Sequence, residues 1–405
     1  MRIKKFAINK DISFLDIVTI IYIVFLLSGN ITTNHNYIAI GLYAIWFLLI
    51  VSKHPKIISI IFHEQRVVFF CIYCTSILFS GLVGGTVLFT LKQVIEAILL
   101  FSPIIIYIYY DHLKDNTKIR TLLIFALITW IGISLYSLNL YSYEASFSRS
   151  NLSEMASLGI TNFGGYSLAY GSAVLSVFLF DLWFSRILKL RWQIFGIPVL
   201  IIIFSLLIIR TQSSVTILSW MLGLLLCIFL RPQNNKSLNG LIKKMFSFLI
   251  IIVSLVLIIT FTREIGQGLI SLTSQGNDRV SERIASIGYQ LAYGSKEAGD
   301  NYFIYRLSFP LKSLDTFINN PLTGVAYKHG NGYYNSFAYG VSQHGEWADS
   351  LANYGIVFGS AFLLIYLSTI RYYINRFNRK LSPGWWTVML MIGMFNPIRG
   401  YFLHF

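Results

Sequence analysis

Apolar residues run through this chain in long blocks separated by short polar breaks. The blocks fall at 12–29, 37–52, 67–83, 87–110, 119–140, 167–184, 193–209, 213–230, 244–261, 350–369 and 385–404. Each approaches the ~20 apolar residues that a helix needs to cross ~30 Å of hydrocarbon. The pattern therefore predicts an all-α polytopic membrane protein of about 11 transmembrane helices, because a helix satisfies its own backbone in lipid. One break is long. Residues 1–261 hold the first nine blocks, 262–349 form one large loop with short helices, and 350–405 hold the last two.

Charge orients the blocks. Arg2, Lys4, Lys5 and Lys10 precede the first; Lys53, Lys56, Arg66, then Lys114, Lys118, Arg120, then Arg186, Lys189, Arg191 fill alternate connections further on. The connections 231–244 and 371–380 are basic as well, whereas 30–36 and 83–86 carry no Lys or Arg. The positive-inside rule places the basic set in the cytoplasm, the amino terminus with it, and 262–349 on the extracytoplasmic side.

Within the large loop, 308–319 (SFPLKSLDTFIN) has apolar residues at Phe309, Leu311, Leu314, Phe317 and Ile318, the spacing of an amphipathic helix at a membrane surface or over a cavity. Asn320-Pro321 stops that helix and Gly324 opens the next turn. Residues 329–342 are rich in glycine and tyrosine, as loops over a substrate cleft often are. The loop is not a disordered tether, since its many tyrosines, with Trp347 at its end, are able to pack.

Composition agrees with the pattern: 55% of the 405 residues are hydrophobic and 12% charged. A formal charge of +15 in a soluble chain would point to nucleic acid. Here the excess sits in short cytoplasmic loops, where orientation and anionic head groups account for it, so nucleic acid is excluded as a partner and membrane lipids are expected. The first block is too long for the apolar core of a signal peptide and no small-residue cleavage site follows it, so the first helix is expected to direct its own insertion. Cys71 and Cys74 form a C-x-x-C inside an apolar block, which reads as packing rather than redox or zinc chemistry.

The basic residues left on the outer side carry the chemistry. They include Arg149, Arg210, Arg279, Arg283 and Arg306. Guanidinium forks hold two diphosphate oxygens at once. Arg210 sits in a connection of a few residues between the seventh and eighth blocks, where charge defies the rule that the rest of the chain obeys; snorkelling to head groups is the alternative reading. Lys92 and Glu96 lie one turn apart in the fourth block and read as a structural ion pair. His344, with Glu346 and Asp349 close by, stands on the outer side where a neutral imidazole accepts a proton from a hydroxyl; a solvated loop histidine is the alternative. Tyr334 and Trp347 offer aromatic faces to sugars. No metal-binding pattern or phosphate-cradling glycine loop accompanies these residues, so no metal or other cofactor is expected.

The stretch from Arg306 to Gly359 resembles the outer-loop signature of the bacterial O-antigen polymerase and O-antigen ligase superfamily. It contains Arg306-Leu307, a short helix ending in Asn320-Pro321-Leu322-Thr323-Gly324-Val325, and His344 ahead of Tyr354-Gly355-Ile356. The chain departs from the pattern where Thr211-Gln212-Ser213-Ser214 follows Arg210, and where Ala326 replaces a glycine. The resemblance implies a metal-independent, inverting glycosyltransferase of the cytoplasmic (inner) membrane with its active site toward the periplasm or cell exterior. Its donor would be an undecaprenyl-diphosphate-linked glycan, and a chain-length regulator and a flippase of the same pathway would be its partners. His344, Arg306 and Arg210 are the expected catalytic residues; Arg149, Arg279, Arg283, Tyr334, Glu346 and Trp347 are expected to bind substrate. A ligase that transfers the glycan to a lipid or protein acceptor, and a polysaccharide flippase or transporter, remain as alternatives.

Overall fold

The computed structural model describes residues 13–27, 35–143, 165–185, 195–211, 214–230, 262–273, 302–329, 337–342, 345–376 and 382–395, with a few positions between 281 and 293. Among them every regular element is helical. The α-helices are α1 (Phe14–Leu27), α2 (His35–Lys53), α3 (Pro55–His63), α4 (Gln65–Val83), α5 (Val87–His112), α6 (Asn116–Tyr143), α7 (Gly165–Ser185), α8 (Ile197–Arg210), α9 (Ser214–Phe229), α10 (Thr262–Thr273), α11 (Tyr302–Asn319), α12 (Ala326–His329), α13 (Glu346–Arg376) and α14 (Gly384–Phe395). The block at 244–261 lies outside the described residues.

Among the described residues, four helices are long and apolar enough to cross a bilayer: Gln65–Val83, Thr90–His112, Asn116–Asn139 and Glu346–Arg376. Helices α2 and α3, bent by 115° at His54, make a fifth if the pair counts as one span. Five shorter apolar helices accompany them. Large apolar side chains on these helices face outward, among them Leu48, Leu82, Leu123, Ile128, Ile202 and Leu218. So broad an apolar surface requires lipid rather than water around it. The protein is a membrane protein, all-helical among its described residues.

Polar side chains tie the helices together inside. The Trp130 indole donates to Ser172 Oγ (3.1 Å), linking α6 to α7, and Trp220 donates to Ser176 Oγ (3.2 Å), linking α9 to α7. Gly223 and Gly384 let α9 and α14 approach until their backbones touch, the small-residue contact that membrane helices favour.

One end of the bundle collects the helix ends that the sequence assigns to the cytoplasm. Lys118 at the start of α6 pairs with Asp16 at the start of α1 (2.8 Å), and Tyr110 near the end of α5 donates to the same carboxylate (2.9 Å). Tyr372 near the end of α13 donates to Asp111 (2.8 Å), Arg376 donates to Asn116 (3.2 Å), and Arg66 at the start of α4 lies over the Tyr372 ring (4.5 Å). Asp181 at the end of α7 accepts from the Ser382 amide (2.5 Å) just before α14. These contacts gather the ends of α5, α7 and α13 and the starts of α1, α4, α6 and α14.

Candidate functional site at the broken helix

At the opposite end from that cluster, α11 lies against α13. Its buried face is Phe309, Ser313 and Thr316, and it ends where the sequence predicts: the Asn320 amide reaches the carbonyls of Thr316 and Phe317 at 3.0 Å, and Pro321 follows. The chain then crosses α13 at its weakest point.

Helix α13 is not continuous. Gly355 takes φ 71°, ψ −173°, so a first arm from Glu346 to Tyr354 meets a second arm that runs to Arg376. From Ile356 the second arm alone rises about 31 Å at 1.5 Å per residue, enough to span a membrane. In an unbroken helix the Ile356 amide would bond the Ala352 carbonyl. Here both groups turn to the crossing strand: Val325 N donates to Ala352 O (2.9 Å) and Ile356 N donates to Pro321 O (2.7 Å). No side chain fits between the two backbones. A Cβ on Gly324, itself at φ +64°, would overlap the Asn353 carbonyl, and one on Gly355 would overlap the Leu322 carbonyl. Buried backbone groups freed by a helix break need new partners, and this crossing supplies them.

Next to the crossing lies a buried polar cluster. The Asp349 carboxylate accepts from Ser313 Oγ (2.5 Å), Ser342 Oγ (2.7 Å) and Gly345 N (3.1 Å), and Ser342 N donates to Ser313 Oγ (2.8 Å). Thr316 Oγ1 donates to the Gly340 carbonyl (2.9 Å), and the Lys312 ammonium lies 3.6 Å from the centroid of Phe337. The segment 337–342 is thereby strapped to α11.

The expected site residues distribute as follows. Glu346 is 2% exposed in the first turn of α13. Trp347 donates its indole N–H to Leu390 O (2.8 Å), packs edge-on to Tyr366 (4.7 Å between centroids) and covers Gly393, so its ring joins α13 to α14. Arg306 falls in α11, seven residues before Ser313. Arg210 ends α8 and is exposed, and the buried Thr211 after it donates to the Ile208 carbonyl (2.7 Å). Helix α8 packs on α6, α7 and α9, α11 packs on α13 and α14, and α14 packs in turn on α7 and α9. His344, Arg149, Arg279, Arg283 and Tyr334 lie outside the described residues. Lys92 and Glu96 stand 4.0 Å apart with both side chains well exposed.

Sequence reading passed over Ser313 and Ser342 and gave Asp349 only the role of a carboxylate near His344 and a reserve base. They share no local motif, since Ser313 and Asp349 are separated by 36 positions and meet only through the fold. The serine on the buried face of an otherwise apolar stripe was the available signal.

These features define a class: a membrane protein, helical throughout its described residues, with a broken helix crossed by a helix-loop segment at one end of the bundle. Compared with known proteins, the chain matches no family model and no curated sequence.

Proposed function

We propose that this protein is a glycosyltransferase with about 11 transmembrane helices, polymerising undecaprenyl-diphosphate-linked repeat units into O-antigen, capsular polysaccharide or exopolysaccharide on the outer face of the cytoplasmic membrane. The observation that supports this best is the meeting of two distant signature segments. Asn320–Val325 and Tyr354–Ile356 interlock backbone to backbone, directly beside the buried carboxylate that binds both neighbours of the Gln343-His344 pair. Such an interlock gives those motifs a physical reason to occur together.

The chemistry follows from the residue types. The lipid tail needs a membrane face, which the apolar helices supply. Arg306 and Arg210 offset charge on the diphosphate as the glycosidic C–O bond breaks and the polyprenyl diphosphate leaves as an anion. The acceptor sugar hydroxyl attacks the anomeric carbon from the opposite side and gives its proton to His344. A single displacement inverts the anomeric configuration. Arg149, Arg279, Arg283, Tyr334 and Trp347 complete the substrate contacts in this reading, from which Glu346, 2% exposed, is left out.

Glycan length analysis in a strain lacking the gene tests it. Single repeat units on the usual anchor are expected. Long lipid-linked chains left unattached would indicate a ligase instead, and unchanged polymer would overturn both.

A further inference from the structure

We infer that Asp349 is a positioning residue, a buried carboxylate that clamps Ser342 and Gly345 and thereby restrains the chain on both sides of Gln343-His344. The clamp rests on the contacts alone; its consequence for turnover rests on the reading of His344 as base.

Ser342 and Gly345 are the residues on either side of Gln343-His344, and both bond to one carboxyl group, Ser342 to Oδ1 and Gly345 to Oδ2. Ser313 anchors that group from α11, and because Ser313 Oγ accepts from Ser342 N (2.8 Å), its own proton points to Asp349. Ser342 is therefore held from a helix that is remote in sequence. Gly345 is closed in as well: a Cβ on it would come within 2.6 Å of Met394 O and 3.3 Å of Pro310 Cγ, so the chain is wedged between α11 and α14. Asp349 N donates to Gly345 O (2.7 Å), tying Gly345 to the first arm of α13. A carboxylate lies well at a helix amino end, where amide dipoles favour it. It is ill placed as a base. Asp349 is 5% exposed, and with both oxygens already engaged it offers an acceptor hydroxyl little access. The geometry suits holding a neighbour, as second-layer carboxylates hold catalytic histidines elsewhere.

Two assays test this. First, Gln343→Cys is labelled with a membrane-impermeant maleimide in spheroplasts, against the background of the parent chain. Adding Asp349→Asn is expected to raise the labelling rate about tenfold, the scale of losing charge-assisted hydrogen bonds. An unchanged rate in folded protein overturns the clamp. Second, in membranes supplied with lipid-linked repeat units, Asp349→Asn should lower kcat about 10–100-fold with donor KM unchanged, and should cost nothing further on a His344→Ala background. Additive losses would mean that Asp349 acts independently of His344, and would overturn its positioning role. If labelling rises while the unaltered protein forms no polymer, the clamp stands and the glycosyltransferase reading fails. Should Asp349→Asn not insert, Ser313→Ala removes one anchor and keeps the carboxylate. It must then raise labelling in the same direction, and no rise overturns the clamp.

Discussion

Gly324 and Gly355, 31 positions apart, lie on two backbones so close that neither glycine accepts a side chain. Their positive φ values turn the chain on both sides of one crossing, where Val325 and Ile356 exchange hydrogen bonds with Ala352 and Pro321. The crossing lets a membrane helix break without leaving bare amides. It also holds α11 against the arm that begins just after His344.

Gly355→Ala is expected to destabilise the protein well beyond the ~1–2 kcal/mol of a left-handed alanine alone, since the methyl also meets the Leu322 carbonyl. Gly85 is the control. It has φ +69° with open space around it, so Gly85→Ala carries only the conformational cost. Thermal unfolding in detergent should show a clearly larger loss for Gly355→Ala; equal losses would mean that the crossing is loose.

At the other end, Lys118 and Asp16 form a largely buried ion pair. Lys118→Met leaves the Asp16 charge with only its Ser13 and Tyr110 hydrogen bonds, and should cost about 3 kcal/mol. Lys118→Met with Asp16→Asn should recover most of that. Detergent unfolding midpoints of the two variants decide it: no recovery in the double variant would mean that packing, not charge, is what is lost.

Much of the helical layout was legible because hydrophobic length and loop charge are local properties. The block at 37–52 corresponds to His35–Lys53, and that at 87–110 to Val87–His112. Helix α3 escaped notice because Pro55 directly follows the first basic turn and reads as a loop, although proline suits a first helical position. The block at 350–369 sits inside α13, but hydropathy does not register that α13 starts at Glu346 and breaks at Gly355. Of the site, the stop at Asn320-Pro321 and the turn at Gly324 were readable from residue type. The partner of Asp349 was not, since no periodicity links Ser313 to Asp349. Trp347 was expected to offer its ring to sugars; that its indole N–H donates to the Leu390 carbonyl is a contact no sequence period marks.

The orientation predicts side-specific labelling. Cysteines introduced as Ser274→Cys or Ser295→Cys should react with an impermeant thiol reagent on intact cells, and Ser237→Cys should react only after permeabilisation. The reverse pattern would invert every assignment of side.

Arg306→Lys keeps the charge and loses the bidentate fork, whereas Arg306→Ala loses both. Both should cripple polymer formation at normal protein levels, Ala more than Lys, and Arg210→Ala should also impair it. Wild-type polymer lengths in Arg306→Ala would remove the diphosphate clamp from the mechanism.

The most direct measurement is chain extension by purified protein in liposomes given undecaprenyl-diphosphate-linked repeat units and no other enzyme. The unaltered protein should convert them to a ladder of longer lipid-linked glycans. His344→Gln, which keeps a hydrogen-bonding side chain but takes no proton, should slow that conversion roughly 10²–10⁴-fold with the protein still inserted. Repeat units that stay single in the presence of the unaltered protein would contradict the proposed activity, and full extension by His344→Gln would take the role of base away from His344.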